Sequence, residues 1–400
     1  MAVAEISPRE RVIEAKLPLR PGDTEIVGQS WDEISFIPEE LGSESPIPHL
    51  TISLMGTADF GDQAYQILKK QGHKFYAIFA PDNPRDALRK AVMADNEKLP
   101  EGERVPLYTL SAEAMKDPET AKRFSDENTD LGVFASMTEM VDETIYNGPK
   151  LGTIGMHDSY LDEGRGGSAG ANAIKKGKKF SGVSIYQVTK GTDEGEKYLQ
   201  AKTAIYDTDT IFSLFTESTF PIGVRLLTDT VELIARGRAD EIRKLQDLTK
   251  DTYEPRVLKE PAKWNSSAKE IYDEMRASLN LPSYTELLPD TEVAIEDYES
   301  KPHPIYNLAE IAWLPDRNYS EYEPGTIAEI TDKGVVITTN DGCIRVNSFQ
   351  LSEAYRGRKT GKTYENREKR DKTKLNGIQF TDVCSLEVGM KLASPLPKAS

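Results

Sequence analysis

The apolar and polar positions set out a run of alternating strands and helices. Residues 49–56 (HLTISLMG) alternate as a buried first strand does. An amphipathic stretch follows over 62–71, with Gly72 placed to end the helix. A second strand is expected over 73–80 (HKFYAIFA), and Asp82-Asn83-Pro84 opens the next helix. A third strand over 105–109 leads to a helix over 111–124. A fourth strand over 131–135 leads to a helix around 139–146. Strand following helix at roughly 20–30 residue spacing is the rhythm of βαβ units and a mainly parallel sheet. Crossovers in such sheets are right-handed, so the expected layer is doubly wound.

The next stretch carries the densest pattern. An apolar strand runs into Met156 and stops at His157. A turn of charges and glycines fills 162–167, a short helix 169–176, and a strand 182–188 (GVSIYQV) ends at Gly191-Thr192-Asp193-Glu194-Gly195. A histidine and a carboxylate thus each stand where a strand stops, and open α/β sheets bind ligands at such ends. A further strand is expected over 198–206, a long helix over 208–235, more helix over 237–249, and a last amphipathic helix over 266–278. Residues 281–304, rich in proline, acid and tyrosine, read as a linker. Past residue 323 the period shortens to that of strands, over 326–330, 334–338 and 343–346. Asn340-Asp341-Gly342 makes the hairpin between the last two. The expected organisation is an N-terminal extension (1–48), an α/β domain (49–280), a linker (281–304) and a small, β-rich, barrel-like C-terminal domain with a basic stretch and tail (305–400). Prolines break up the extension, but Trp31, Ile34, Phe36 and Ile37 offer it an apolar anchor.

Composition narrows the classes. The 400 residues are enough for two or three domains. No apolar run approaches the roughly 18 residues of a membrane span. The first 48 residues lack the apolar core of a secretory signal. Two cysteines, Cys343 and Cys384, make neither a disulfide framework nor a metal-ligand set, so no metal is expected and a reducing cytoplasm is. Fifty basic against sixty-six acidic residues give a net charge of −16, which disfavours nucleic-acid backbones as partners. Residues 354–376 run the other way, with nine basic and three acidic side chains. They read as a solvated connector, or as a docking patch for an acidic partner. Together with residues 1–48 they are the candidate surfaces for a homo-oligomer or protein partner.

Of the four histidines, His49, His73, His157 and His303, only His157 sits at such a strand end. A histidine there exchanges protons near neutral pH, and a carboxylate such as Asp193 holds the ring and favours its charged form. The bland alternative is a structural or surface histidine. Gly56-Thr57-Ala58-Asp59-Phe60-Gly61 joins a strand to a helix with two glycines, where a dinucleotide loop needs three, so it reads as a plain turn. Ser159 lacks a nucleophile-elbow setting. The turn 162–167 reads as a flexible lid or a solvated loop.

These motifs resemble the central motif of the 10-formyltetrahydrofolate-dependent formyltransferases and hydrolases. That motif is a strand, His-x-Ser-Leu-Leu-Pro, a basic-glycine turn, a helix, Gly, a strand, then Gly-x-Asp-x-Gly-Asp. Here it stands as His157-Asp158-Ser159-Tyr160-Leu161-Asp162, Arg165-Gly166, Gly177, and Gly191-Thr192-Asp193-Glu194-Gly195-Glu196. The opening from Leu54 to Asn83 is similar to the hydrolase domain of formyltetrahydrofolate dehydrogenase. Trp264 to Pro282 and Pro324 to Gln350 are similar to the segment leading out of the family's catalytic domain and to its C-terminal β domain; methionyl-tRNA formyltransferase belongs to the same set. The resemblance implies a one-carbon formyl group carried on 10-formyltetrahydrofolate as donor, with an amine or water as acceptor. It implies His157 stabilising the oxyanion, and Asp193 orienting a water or the histidine and assisting proton transfer. It places the pterin near Ser136, Glu139, Met140 and Val141 and the loop from Thr189 to Asp193, beside Gly155. Most of the family has Asn where this chain has Gly155, an Asn that donates to the formyl oxygen; the dehydrogenase's hydrolase domain lacks it too. Leu161-Asp162-Glu163 replaces the family's Leu-Pro-basic run, which makes anionic or tRNA acceptors less welcome. Three readings stay open: hydrolysis or transfer of the formyl group, N-formylation of a sugar-nucleotide or other small amine, and a catalytically altered subunit acting as a scaffold.

Overall fold

The computed structural model describes residues 35–36, 46–137, 140–249, 253–254, 262–278, 284–287, 305–317, 319–351, 374–376 and 387–393. Their contacts divide the chain into two units, one built within 1–256 and a second built mainly from residues after 256.

In the first unit, β2 (Thr51–Gly56), β3 (Lys74–Pro81), β4 (Leu107–Leu110), β5 (Leu131–Ala135) and β6 (Thr153–His157) lie parallel, in the order β4-β3-β2-β5-β6. Two strands then extend the sheet antiparallel, β7 (Phe180–Gln187) beside β6 and β8 (Lys197–Ala204) beside β7. A two-residue strand, β1 (Ser35–Phe36), pairs with β8 at the far edge, so part of the N-terminal extension joins the sheet.

Strand residues alternate between two cores, as the period of two requires. Ile52, Leu54, Ile78, Ala80, Val133, Ile154, Val183 and Ile185 face one core, shared with α1 (Ala58–Lys70), α2 (Ala87–Asn96) and α7 (Phe220–Ala235). Met55, Ala77, Phe79 and Phe134 face the other, shared with α3 (Pro118–Phe124) and α4 (Glu143–Tyr146). The layer is therefore doubly wound, as the spacing implied.

Several expected helices are shorter, for local reasons. The stretch 111–124 divides into a 3-10 turn (Ala114–Lys116) and α3, because Pro118 cannot donate to a preceding turn and Asp117 caps a new start by accepting from the Glu119 N–H. Asp142 likewise caps α4 at Glu143. The long helix over 208–235 becomes α6 (Ile211–Leu214), a π-turn (Phe215–Thr219) and α7, with Pro221 breaking the hydrogen-bond ladder at the joint. After Gly237 only α8 (Ala239–Ile242) forms. The chain then extends, and Lys244 exchanges two 2.8 Å backbone bonds with Lys197 at the start of β8.

The second unit holds an antiparallel sheet: β9 (Tyr284–Leu287), β10 (Ile305–Leu314), β11 (Ile327–Thr331), β12 (Gly334–Thr338), β13 (Cys343–Leu351), β14 (Lys374–Asn376) and β15 (Leu392–Ala393). Backbone bonds from Ile327 to Met390 and from Leu392 to Gly325 tie its two outer strands together, which closes the sheet into the expected barrel. A helix, α5 (Ala169–Lys175), follows β6 in the chain. Another, α9 (Ala268–Ala277), opens with a Ser267–Glu270 capping box and packs Ile271 and Met275 with Trp264, Ile337 and Ile344. Among the described residues no helix is long and apolar enough to cross a membrane.

Candidate active site

The site begins with the parity of β6. Ile154 and Met156 pack into the core of α1 and α7, so Gly155 and His157 face the opposite side of the sheet. Gly155 pairs with Phe134 on β5 and with Tyr186 on β7, and His157 lies across from Ser184.

The two strand ends do not share an edge. β7 runs against β6, with Gln187 beside Ile154, so its end lies at the start of β6, away from His157. The loop 188–196 crosses back over the sheet and returns Asp193 to the histidine. Two features shape it. Gly195 presses on the Gln187 carbonyl, where a Cβ would stand only 1.6 Å from the oxygen. Asp193 takes the left-handed conformation, with φ 53°, which short polar side chains tolerate best after glycine.

His157 Nδ1 stands 3.4 Å from Asp193 Oδ2, and its Nε2 stands 3.1 Å from the Gly164 carbonyl oxygen. Both ring nitrogens face acceptors, so both contacts are satisfied together only by the doubly protonated ring. The Ser159 hydroxyl donates to the same Gly164 carbonyl. Asp193 Oδ2 accepts from the Gly166 N–H at 2.9 Å, and the Tyr186 ring stands edge-to-face to the His157 ring with centroids 6.5 Å apart. Burial, then the charge of Asp193, holds the Tyr186 phenol well above its ordinary pKa, so it remains a donor. Beside them Asp158 is largely buried, and its Oδ1 is buried without a hydrogen-bond partner. Burial raises its pKa to about 7, partly offset by the Thr219 hydroxyl.

The turn at 162–167 is neither a lid nor a solvated loop. Gly164, Arg165 and Gly166 are buried. Asp162 pairs with Lys197 and accepts from the Asp247 N–H, Glu163 meets Lys202 at 3.1 Å, and Arg165 meets Glu194 at 2.7 Å. The Arg165 carbonyl accepts from the Glu254 N–H at 2.8 Å. Gly166 has φ 101°, and a Cβ there would fall 2.3 Å from the Glu254 carbonyl oxygen. The acids that looked solvent-facing in the sequence are thus neutralised by lysines of β8, which the linear order hides. Gln246 completes the frame: its side-chain amide donates to the carbonyls of Asp193 and Gly195 at 2.8 and 2.6 Å.

The other expected residues spread around this centre. Val141 packs in the apolar cluster with Phe134, Met137 and Val188, and Val188 also stands against Gly155, 3.4 Å from where a Cβ would project. Ser136 takes φ 64° and accepts from the Thr57 hydroxyl through its carbonyl. Met140 is 63% exposed, and Thr189 is exposed. Glu139 lies outside the described residues. Tyr186, Gly164, Gly166, Arg165 and Gln246 were not singled out by the sequence reading as site residues. Tyr186 had one readable signal, its cross-strand place beside Gly155 at the end of the GVSIYQV strand.

The fold is that of a formyl-transfer enzyme. A family profile described as Formyl transferase matches residues 50–220, and one described as Formyl transferase, C-terminal domain, matches residues 261–360. The chain belongs to the formyltransferase family. It is 26% identical over 349 residues to a methionyl-tRNA formyltransferase of Bacillus cytotoxicus, covering 86% of this chain and 98% of that protein. It is 29% identical over 309 residues to the mitochondrial 10-formyltetrahydrofolate dehydrogenase of Homo sapiens, covering 76% of this chain and 32% of that protein. Among solved structures its fold is similar to HypX from Aquifex aeolicus in complex with tetrahydrofolic acid, with a TM-score of 0.52 and 16% identity, over 76% of this chain and 45% of that one. The chain thus spans nearly all of the first relative, but a third of the dehydrogenase and under half of HypX.

Proposed function

We propose that this protein moves a formyl group from 10-formyltetrahydrofolate to a small nucleophile, an amine or water, at His157 and Asp193. The observation that carries the reading is the 3.4 Å approach of His157 to a carboxylate that the Gly166 N–H holds in place. The donor supplies an activated formyl carbon, and the residues around it do the rest. His157 turns its Nε2–H from the Gly164 carbonyl to the formyl oxygen as negative charge builds there, while Ser159 keeps that carbonyl satisfied. Asp193 balances the imidazolium and accepts the proton that the attacking nucleophile sheds, which is returned to the folate nitrogen as its bond to the formyl carbon breaks. The apolar wall of Val141, Phe134 and Val188 suits a flat ring system such as a pterin.

The charge pattern favours a small acceptor. Arg165 of this turn and Lys197 and Lys202 of β8 beside it are each held by an acid, and the net charge of −16 repels polyanions. A sugar-nucleotide or other small amine and water are the two classes to screen. Calorimetric titration with a stable 10-formyltetrahydrofolate analogue is expected to give micromolar binding to wild type, weakened in Asp193→Ala. Turnover of His157→Gln is expected to fall by about 10²–10³-fold. Undiminished turnover in that variant, or no binding to wild type, would overturn the reading.

A further inference from the structure

Thr57 stands at the N-cap of α1, where a threonine ordinarily turns its hydroxyl onto an amide of its own first turn. Here it makes no such bond. The hydroxyl crosses to the end of β5 and donates to the Ser136 carbonyl at 3.2 Å, and the Thr57 N–H reaches the Ala135 carbonyl at 3.3 Å. The start of α1 is served instead by Asp86, 28 residues on from Ala58. Asp86 Oδ2 accepts from the Ala58 N–H at 2.7 Å, while its Oδ1 accepts from the Arg89 N–H at 2.9 Å and caps α2. One carboxylate, 7% exposed, thus serves the starts of two helices. That support matters at Ala58, which takes φ 51°, a left-handed conformation that an alanine keeps only where its surroundings impose it.

The register ties this arrangement to the site. Gly56 pairs with Ala135, and Phe134 with Gly155, so Thr57, Ser136 and His157 form one row across the ends of β2, β5 and β6. Neighbouring strands stand about 4.8 Å apart, which makes Ser136 the neighbour of His157 in that row. Ser136 is itself left-handed, with φ 64°, and it lies two residues beyond Phe134 of the apolar wall.

We propose that Asp86 is a positioning residue of the donor site: by taking the Ala58 N–H it leaves the Thr57 hydroxyl free to hold Ser136 in the row with His157. Without the carboxylate, the first amides of α1 draw the Thr57 hydroxyl back to its own helix as an ordinary cap. The Ser136 carbonyl then loses its donor, and the end of β5 loses a tie to β2. A cap for α2 alone makes a different demand: a hydroxyl in place of the carboxylate serves that helix as well and changes nothing at Ser136.

The effect on donor binding rests on the formyl-transfer reading, and the test separates the two. Asp86→Ser keeps an acceptor for the Arg89 N–H and gives up the Ala58 N–H. In hydrogen–deuterium exchange of the full chain, this variant is expected to quicken the Thr57 and Ala58 amides together, while exchange at the start of α2 stays as in wild type. Asp86→Ser and Thr57→Val are each expected to weaken a stable 10-formyltetrahydrofolate analogue by about three- to tenfold in calorimetric titration, the worth of one hydrogen bond. The double variant is expected to bind no worse than the weaker single one, because Asp86 acts only through the Thr57 hydroxyl. A faster Ala58 amide with Thr57 unchanged overturns the proposal, as do full affinity in Asp86→Ser and penalties that add in the double variant. If wild type binds no analogue the functional reading fails, and the exchange at Thr57 still decides the role of Asp86.

Discussion

Arg165 and Glu194 meet at 2.7 Å and join the turn after β6 to the loop before β8, the two segments that carry the acceptors of His157. The Arg165 side chain is 9% exposed and that of Glu194 is 42% exposed, so the pair is a rim contact with one buried partner. Removing the buried cation leaves its cavity and frees both segments, whereas removing the exposed acid leaves a buried cation still able to recruit water. We expect Arg165→Leu to lower kcat by about tenfold and Glu194→Gln by a few-fold at most, since a half-exposed ion pair is worth about 0.2–1 kcal/mol. Steady-state kinetics of the two variants at low and high salt check this. Glu194→Gln as damaging as Arg165→Leu would show that charge, not packing, holds the loop.

Gln246 makes the more specific contact. Its amide spans the carbonyls on either side of Glu194, which fixes the left-handed turn that presents Asp193. Gln246→Ala leaves two carbonyls without this donor, at about 1 kcal/mol each. Gln246→Glu sets a carboxylate against the same two oxygens and should do worse. The expected order of turnover is wild type, then Ala, then Glu. Thermal melting should follow the same order with smaller spacing. A Glu variant as active as wild type would remove Gln246 from the frame.

The parallel half of the sheet was legible because its strands alternate with amphipathic helices and with breakers such as Gly72 after α1. Helix lengths were less so. Pro118 and Pro221 set the true joints, and Lys244 leaves its helix to pair with Lys197, a contact between residues far apart in the chain. His157 and Asp193 were legible as chemistry, but the linear order could not show that they meet, and the strands that they follow end at opposite ends of the sheet. Only the antiparallel turn of β7 and the return of the loop bring them together. The acidic turn was misjudged because a linear reading cannot pair Asp162 with Lys197 or Glu163 with Lys202.

Asp158 makes the protein lose stability as pH rises through the acid range. Burial raises its carboxyl from 3.8 to about 7, so between those values the folded chain holds a proton that the unfolded chain has lost. Stability contributed by this group therefore falls as pH rises from about 4 to 7 and is flat above. Asp158→Asn keeps the shape without the charge. The variant is expected to gain about 1–3 kcal/mol over wild type at pH 8 and little at pH 4. Urea melts at the two pH values measure the difference, and an equal difference at both would place the effect in packing.

His73 has the opposite slope in the same window. Its Nδ1 accepts from the Leu50 N–H at 3.1 Å at the start of β2, and its Nε2 is buried without a partner. Burial, and then the nearby His49, lower its pKa from 6.5 to about 4. Between these values the unfolded chain takes up a proton that the folded chain refuses, so the stability due to His73 is complete above pH 6.5 and drains away as pH falls toward 4. The slope approaches about 1.4 kcal/mol per pH unit for one proton. In wild type this loss is masked by Asp158, whose contribution grows over the same fall in pH. His73→Gln, which keeps an acceptor within reach of the Leu50 amide, removes the His73 slope and exposes that of Asp158, so this variant should become more stable from about pH 7 to 5. Asp158→Asn exposes the His73 slope and should become less stable over the same interval. Parallel pH profiles for the two variants would mean that neither group titrates as its burial demands.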